Sequence, residues 1–302
     1  MPQTRRPSGS SERRSGRGRP ERGRPVREPA EPREPRQRSD LLARILVAIP
    51  AAVIAVVFID LGGLAFAIFM AAIGAVCLSE LYTLLTRWKP VPIVGFAALA
   101  GMVIGARYGS LKVVMEVLVG SIPVLFLAVA ARGRPEGATV AIAGTLLGIA
   151  WIGLPFAHAV LLRRLDHGAG VLLDIAIGSF LGATGAYLGG RLFGRRPLAP
   201  SISPGKTIEG LFCGALIAFL AVYVAGINQT WMHHGTALEL GAVVAILEPI
   251  GDLFESLIKR DAGAKDAGTL FGAHGGALDR LDGVMFTVVA GYYVWLAVGT
   301  LH

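Results

Sequence analysis

Charge and cysteine are both scarce in this chain. Charged residues make up 17% of its 302 positions, whereas a water-soluble domain carries about 25%. Together with a mean hydropathy of +0.59, this shortage excludes an ordinary soluble domain and predicts an integral membrane protein. The two cysteines, Cys77 and Cys213, lie in separate apolar segments. They indicate neither a disulfide framework nor a cysteine-type zinc site.

Residues 1–40 have almost no aliphatic side chains but contain twelve arginines and six acidic residues. Such a segment cannot bury enough apolar surface to fold, so we expect a disordered cytoplasmic tail that can touch anionic lipid. A nucleic-acid-binding arm is the alternative interpretation of the arginines; we expect no nucleic-acid partner. Because forty polar residues precede the first apolar stretch, a cleaved signal peptide is not expected.

Apolar stretches of about the ~20 residues needed to cross a bilayer recur along the rest of the chain. The candidates are about 42–60, 62–85, 91–107, 111–131, 138–162, 170–190, 209–227, 237–258 and 284–301. Helices are required because lipid offers no partner for free backbone groups. The expected fold is therefore an all-α, polytopic membrane bundle of about nine transmembrane helices behind the disordered tail. Glycines spaced four apart, such as Gly178 and Gly182, predict close packing of the sixth helix.

Basic residues predict the orientation of these helices. The arginine-rich tail places the N-terminus in the cytoplasm, so the charged turns at 191–206 and 259–280 also lie inside. Those two turns flank one helical hairpin and must share a side if both of its helices cross. Arg163 and Arg164 fall on the outside and break the rule.

The eighth apolar stretch ends in a polar stripe. Glu248, Asp252, Ser256 and Lys259 follow one another at steps of four, four and three residues, which places them on one face of a helix. Polar groups that faced lipid would be costly, so the stripe is expected to face a cavity or partner helices. A seam of hydrogen bonds between helices is the alternative interpretation.

Ten charged residues fall between Asp252 and Asp282. This density suits a metal–polyphosphate reaction, because carboxylates can hold a divalent cation and basic side chains can hold phosphate oxygens. Lys265 and Asp266 lead into a glycine-rich loop whose backbone N–H groups can approach phosphate. Asp279 and Asp282 then share a face at the start of the last helix. Capping of that helix is the alternative role for Asp282.

A second polar segment runs from 198 to 210. Gly205-Lys206-Thr207 has the ending of a P-loop, but Pro200 stands where that motif needs glycine. Ser203, Lys206 and Thr207 are nevertheless placed to bind anions just before the seventh helix, and Glu209 is expected to help cap it. A basic interfacial loop that only caps a helix is equally compatible with these residues.

Together these residues resemble the integral-membrane phosphatidate cytidylyltransferases, also called CDP-diacylglycerol synthases. The family signature, S-x-x-K-R-x4-K-D followed by H-G-G-x-x-D-R-x-D, is matched by Ser256, Lys259, Arg260, Lys265, Asp266, His274, Gly275, Gly276, Asp279, Arg280 and Asp282. The upstream pattern S-P-x-K-T-x-E-G is matched by Ser203, Pro204, Lys206, Thr207, Glu209 and Gly210. The motifs cover roughly residues 178–283; before them only the hydropathy and Glu80 agree.

The chain departs from the family pattern at two positions. Ala183 stands where members carry an acidic residue, which puts one cytidine-side or metal-side contact in doubt. Ala277 is smaller than the usual aliphatic residue. Asp174 lies about two and a half turns from Ala183 on the predicted helix, so we do not expect it to substitute.

The resemblance implies transfer of CMP from CTP to phosphatidic acid, giving CDP-diacylglycerol and pyrophosphate, in a bacterial-type plasma membrane with the active site on the cytoplasmic side. It divides the chain into the tail (1–40), N-terminal transmembrane helices (41–165) and a catalytic transmembrane region (166–302). Expected partners are CTP, phosphatidic acid and membrane lipids. The expected cofactor is Mg²⁺, and a second, monovalent cation such as K⁺ and a homodimer are left open.

The resemblance also implies roles for individual residues. Expected catalytic residues are Asp252, Lys259, Arg260, Asp266, Asp279 and Asp282. Of these, Asp252 and Asp279 are the main expected metal ligands and Asp266 and Asp282 secondary ones. Expected substrate contacts are Ser203, Lys206, Thr207, Ser256, Lys265, His274, Gly275, Gly276 and Arg280.

Two other functions are weighed against this one. A relative that cytidylylates another lipid phosphate, such as an isoprenoid glycerolipid or a prenol phosphate, would carry the same motifs. A transporter with a coupling site at Glu248 and Asp252 would place its acidic residues at the bilayer midplane, usually with an internal repeat. Here the acidic residues crowd one end and no repeat is evident, which disfavours a transporter.

Overall fold

The computed structural model describes residues 36–133, 135–268 and 275–301. Its helices are α1 (Arg36–Leu61), α2 (Gly63–Leu84), α3 (Pro92–Tyr108), α4 (Leu111–Ala130), α5 (Ala138–Gly148), α6 (Leu154–Arg164), α7 (Gly168–Phe193), α8 (Ile208–Ile227), α9 (His234–Asp261) and α10 (Leu278–Leu301). A π-helical turn, Ile149–Gly153, joins α5 to α6, and a 3-10 turn, Thr86–Trp88, follows α2. Residues 42–302 form one compact unit. Of the predicted tail (1–40), residues 1–35 lie outside the described part of the chain.

Each predicted apolar stretch coincides with a helix, the fifth being α5 and α6 joined by the π-helical turn. Among the described residues, six helices are long and apolar enough to cross a membrane: Gly63–Leu84, Leu111–Ala130, Ala138–Arg164, Gly168–Phe193, Ile208–Ile227 and Leu278–Val298. Ile49–Leu61 and Pro92–Tyr108 are apolar but shorter, and α9 carries several charges. The all-helical membrane bundle is therefore supported, whereas the count of nine crossings stays a prediction.

The outward faces of the bundle are apolar. Val124 and Phe126 on α4 and Phe212 and Leu216 on α8 are each more than half exposed. Apolar side chains in such numbers would be costly in water, but they match a hydrocarbon solvent. The exposed apolar faces agree with the membrane location that the composition predicts.

Glycines on α7 bring it close to α8, as their spacing predicts. A Cβ atom on Gly182 would lie 2.8 Å from the Cβ atom of Ala218, and one on Gly214 would lie 2.7 Å from the Cβ atom of Ala186. Larger residues at these positions would separate the two helices. The close packing holds the start of α8, and with it the segment that precedes α8, beside the end of α7.

That segment is a hairpin, which the sequence did not predict. Strands β1 (Pro197–Ala199) and β2 (Ser203–Thr207) pair antiparallel, with Pro197 opposite Thr207 and Ala199 opposite Ser203. The hairpin lies against the end of α9, where Arg260 Nε donates to the carbonyl of Ile202 at 3.0 Å. The two charged segments therefore meet at one end of the bundle, as their shared helical hairpin requires.

Candidate active site

Two glycines bring α9 and α10 together beside the charged end. A Cβ atom on Gly251 would lie 2.9 Å from the Cα atom of Gly283, and one on Gly283 would lie 3.1 Å from the carbonyl oxygen of Glu248. Only glycine permits this approach of the two backbones. Asp252 follows Gly251 and Asp282 precedes Gly283, so the close contact also brings two carboxylates together.

Three carboxylates converge there: Asp252, Glu255 and Asp282, which we call the acidic group. One oxygen of each lies within 4.8 Å of the others. Glu255 is 1% exposed, and its Oε1 atom is buried and has no hydrogen-bond partner among the described residues. Like charges held this close repel one another unless a cation or protons neutralise them. Several hard oxygen donors around one point are what Mg²⁺ prefers, so the acidic group fits a divalent cation.

Two lysines border the acidic group. Lys206 Nζ, from β2, lies 2.6 Å from Asp252 Oδ2. Lys259 Nζ, from α9, lies 2.5 Å from Glu255 Oε2 and 2.7 Å from Asp279 Oδ1. The two lysines come from different segments, β2 and α9. The site therefore contains acidic and basic side chains next to one another. Such a site can hold a cation and phosphate oxygens side by side.

Asp279 lies next to the acidic group but is not part of it. Besides Lys259, its carboxylate accepts hydrogen bonds from the backbone N–H of Gly276 at 2.7 Å and of Ala267 at 2.9 Å. Gly275 has φ +85°, and a Cβ atom there would lie 2.7 Å from Asp279 Oδ2. Asp279 therefore binds the backbone on both sides of the loop between Ala267 and Gly276. Its expected role as a main metal ligand stays a prediction.

Glu80 of α2 holds the same loop from the other side. It is 8% exposed and accepts hydrogen bonds from the backbone N–H groups of Ala277 at 3.1 Å and Leu278 at 2.8 Å. A carboxylate at the first turn of a helix satisfies unpaired donors and is favoured by the helix dipole. Any side chain at Gly276 would clash with the Glu80 carboxylate. The two consecutive glycines of the motif thus make room for two carboxylates.

The hairpin residues have structural partners. Thr207 is the N-cap of α8, its Oγ1 atom accepting a hydrogen bond from the N–H of Gly210 at 3.1 Å. Glu209, expected to help cap that helix, instead accepts from the backbone N–H groups of Arg195 at 3.0 Å and Arg196 at 3.2 Å. It therefore anchors the start of the hairpin. Ser203 is half-buried in β2.

The remaining described site residues lie on the last turns of α9, in the loop after it and at the start of α10. Ser256 is buried on α9, one turn before the exposed Arg260, whose Nη1 atom donates to the carbonyl of Ala264 at 3.0 Å. Lys265 and Asp266 are exposed in the loop after α9, and Arg280 is exposed on the first turn of α10. His274 lies outside the described residues. The described residues of this set lie at the same end of the bundle as the acidic group, and their expected roles stay predictions.

Asp174 does not lie where it could replace the acidic side chain that is missing at position 183. Ala183 is exposed on α7. Asp174 is 2% exposed and accepts a hydrogen bond from Gln229 Nε2 at 3.0 Å, near the opposite end of α7. The expectation that Asp174 does not substitute agrees with this placement.

Glu255 is the acidic residue that the sequence analysis did not single out. It lies three residues after Asp252 and four before Lys259. Residues at those spacings are neighbours on a helix surface, so the spacing alone could have predicted that Glu255 lies beside Asp252 and Lys259. The family signature does not include Glu255, because it begins at the next residue, Ser256.

Comparison with known proteins identifies related chains. A family model described as "Cytidylyltransferase family" matches residues 42–298. A phosphatidate cytidylyltransferase of Staphylococcus aureus (strain COL) is 30% identical over 256 residues, covering 81% of this chain and 95% of its own length. One of Mycobacterium leprae (strain TN) is 39% identical over 164 residues, covering 53% of this chain and 49% of its own. One of Mycobacterium bovis is 34% identical over 156 residues, covering 51% and 50%.

Proposed function

Because the chain belongs to the cytidylyltransferase family, we propose that it transfers CMP from CTP to phosphatidic acid. The products are CDP-diacylglycerol and pyrophosphate, and the reaction depends on a divalent metal ion. The names of the relatives support phosphatidic acid as the acceptor.

The observation that carries the proposal is the meeting of the acidic group with Lys206 and Lys259 at one end of an apolar bundle. A lipid phosphate and a nucleoside triphosphate are both anionic and repel each other. A site that joins them needs positive charge beside carboxylates that hold a cation. It must also lie where a bilayer meets water, because one substrate is a lipid and the other is not.

Phosphatidic acid supplies its own nucleophile. An oxygen of its phosphate attacks the α-phosphorus of CTP, the bond from that phosphorus to the bridging oxygen breaks, and pyrophosphate leaves with the electron pair. Lys206 and Lys259 are placed to hold the phosphate oxygens of bound CTP and to neutralise the charge that builds on them during transfer. A bound Mg²⁺ ion, held by Asp252, Glu255 and Asp282, would supply further charge neutralisation there. The reaction requires no covalent intermediate on the protein.

The surrounding residues position these groups. Asp279 and Glu80 accept backbone hydrogen bonds from the two ends of the loop that begins after Lys265. Arg260 bonds to the hairpin that carries Lys206. The positive-inside rule, applied to the arginine-rich N-terminus, predicts that this end of the bundle faces the cytoplasm, where CTP is available.

Purified full-length protein in detergent, supplied with CTP, phosphatidic acid and Mg²⁺, tests the proposal. We expect pyrophosphate and CDP-diacylglycerol in equal amounts, and no product after chelation with EDTA until Mg²⁺ is restored. Parallel reactions with a prenol phosphate and an isoprenoid glycerolipid phosphate define the acceptor, and the mass of the active assembly identifies a homodimer. A protein that binds CTP but forms no product with any acceptor contradicts the proposal.

A further inference from the structure

Three arginines line one cleft at the other end of the bundle. The cleft encloses about 300 Å³ and is lined by Gly63, Phe66, Arg107, Val160, Arg163, Arg164 and Leu165. Gly63 begins α2, whereas Glu80, near the end of α2, bonds to the loop before α10. At 1.5 Å per residue, about 25 Å of helix separates the two places. The cleft therefore does not belong to the candidate active site.

Two of the arginines are held in place by helix ends. Arg163 donates from Nε to the carbonyl of Ile59 at 2.6 Å and from Nη2 to that of Asp60 at 3.0 Å, at the end of α1. Arg164 donates from Nη1 to the carbonyls of Ala106 at 2.5 Å and Gly109 at 2.8 Å, at the end of α3. These bonds satisfy helix C-termini and fix both guanidinium groups. A guanidinium has five N–H donors, so each keeps others for a ligand.

The third arginine has donors that the described residues do not use. Among the described residues, Arg107 makes no hydrogen bond and no ion pair. Its Nε atom is buried without a partner, and its guanidinium carbon lies 5.0 Å from the centre of the Tyr108 ring. A buried donor left unpaired is costly, and the cost is larger for a charged group. Arg107 lines the cleft, so the Nη donors of its guanidinium group are available to whatever occupies the cleft.

The start of α2 adds a further feature that favours an anion. Gly62 and Gly63 have φ +58° and +55°, and α2 has no side-chain cap and no acidic residue in its first turn. A helix N-terminus in this state presents free N–H groups and the positive end of the helix dipole. In the part of the chain that the structure describes, none of the three arginines forms an ion pair with a carboxylate. Positive charge thus converges on the cleft, and among the described residues no carboxylate pairs with it directly.

We propose that this cleft binds a phosphate group, carried either by a membrane lipid headgroup or by free inorganic phosphate. Arginine matches phosphate through paired N–H donors, and Arg107 can offer such a pair. In the predicted orientation the cleft lies at the outer face of the membrane, where the arginines break the positive-inside rule. The site is independent of the proposed transferase reaction.

Binding measurements on the purified full-length protein test the cleft. Wild type, Arg107→Gln and Lys112→Gln are each titrated with phosphatidylglycerol, with diacylglycerol as the lipid lacking phosphate, and with inorganic phosphate at constant ionic strength. Lys112→Gln is the matched control, because Lys112 lies on the neighbouring α4, is 84% exposed and does not line the cleft. We expect Arg107→Gln alone to lose about tenfold or more in affinity for the phosphate-bearing ligand, the loss of a charge-assisted hydrogen bond.

The arms of the experiment identify the ligand. A loss confined to phosphatidylglycerol assigns the cleft to a lipid headgroup, and a loss confined to inorganic phosphate assigns it to the free ion. Modification of wild-type arginines by phenylglyoxal, mapped by mass spectrometry, supplies a test that needs no variant. We expect the correct ligand to slow modification of Arg107 but not of Arg195. If neither compound protects Arg107, or if Arg107→Gln binds both as wild type does, the proposal is overturned.

Discussion

At the scale of single residues, the carboxylates at this end of the bundle fall into two sets. One set can hold a cation, and the other accepts hydrogen bonds from the backbone. Asp252, Glu255 and Asp282 form the first group, whereas Asp279 and Glu80 accept backbone hydrogen bonds around the loop. The signature residues are therefore not equivalent. Asp279 holds the backbone of Ala267 and Gly276 in place, whereas Asp252 and Asp282 converge with Glu255 on one point.

Glu255→Gln is expected to reduce turnover by about 10- to 100-fold, because one anionic ligand of the proposed metal site is lost. Glu255 is buried, so the neutral amide also removes one of three repelling charges and the protein should stay folded. Pyrophosphate release at increasing Mg²⁺ concentration measures the effect. The exposed Glu239→Gln on the same helix is the control and should retain wild-type activity. Full activity of Glu255→Gln would remove Glu255 from the metal site.

Lys206→Ala is expected to raise KM for CTP by roughly tenfold, the equivalent of one charge-assisted contact to phosphate. The 2.6 Å approach of Lys206 to Asp252 places the ammonium group beside the proposed metal site. Steady-state kinetics with CTP varied at saturating phosphatidic acid separates KM from kcat. Lys112→Ala, at the other end of the bundle, should leave both unchanged. A fall in kcat with KM unaltered would show that Lys206 acts only in the transition state.

At the scale of elements, the site depends on how closely helices approach. The backbones of α9 and α10 meet at Gly251 and Gly283, and α8 packs on α7 through small residues. Packing between helix backbones thus sets the distance between carboxylates that are thirty residues apart in the chain.

Gly251→Ala is expected to lower activity by about tenfold or more, because the added Cβ atom must push α10 away and separate Asp282 from Asp252. Displacements of about 1 Å at a catalytic site have costs of this size or greater. Gly235→Ala is the matched control on the same helix, since a Cβ atom there meets nothing within 4 Å. Activity and thermal unfolding are measured on both variants. Equal activities would mean that α9 and α10 tolerate a wider separation.

The sequence predicts the elements better than their contacts. Hydropathy marks where each helix lies because lipid demands long apolar runs, and helical spacing predicts the stripe of Asp252 and Lys259. The 197-residue separation between Glu80 and Ala277 leaves no local pattern from which their bond could be derived. The hairpin at 197–207 was also missed, because three-residue and five-residue strands carry too few residues for alternation to be visible.

At the scale of the whole molecule, the chain is a membrane enzyme of the cytidylyltransferase family. Its apolar faces point outward and its charged site closes one end of the bundle. The arginines that break the charge rule, Arg163 and Arg164, have local partners in the ends of α1 and α3. Their position does not therefore require a reversal of the predicted orientation.

Deletion of residues 2–35 is expected to leave specific activity within about twofold of wild type, since a polar, arginine-rich segment of this composition adds no folded surface. Activity is measured in vesicles with and without anionic lipid, so that membrane attraction is separated from catalysis. Both forms should respond equally to Mg²⁺. Loss of most activity in detergent, where no lipid surface exists, would contradict a passive tail.

The bond between Glu80 and the start of α10 also has a consequence for biosynthesis. A ribosome makes Glu80 197 residues before Ala277, so the amides that bond to Glu80 emerge long after it. Nascent chains that stall before the last helix carry the hairpin and most of the acidic residues, yet they cannot order the loop. Such incomplete products should remain inert in the membrane, so CTP is not consumed by half-made molecules.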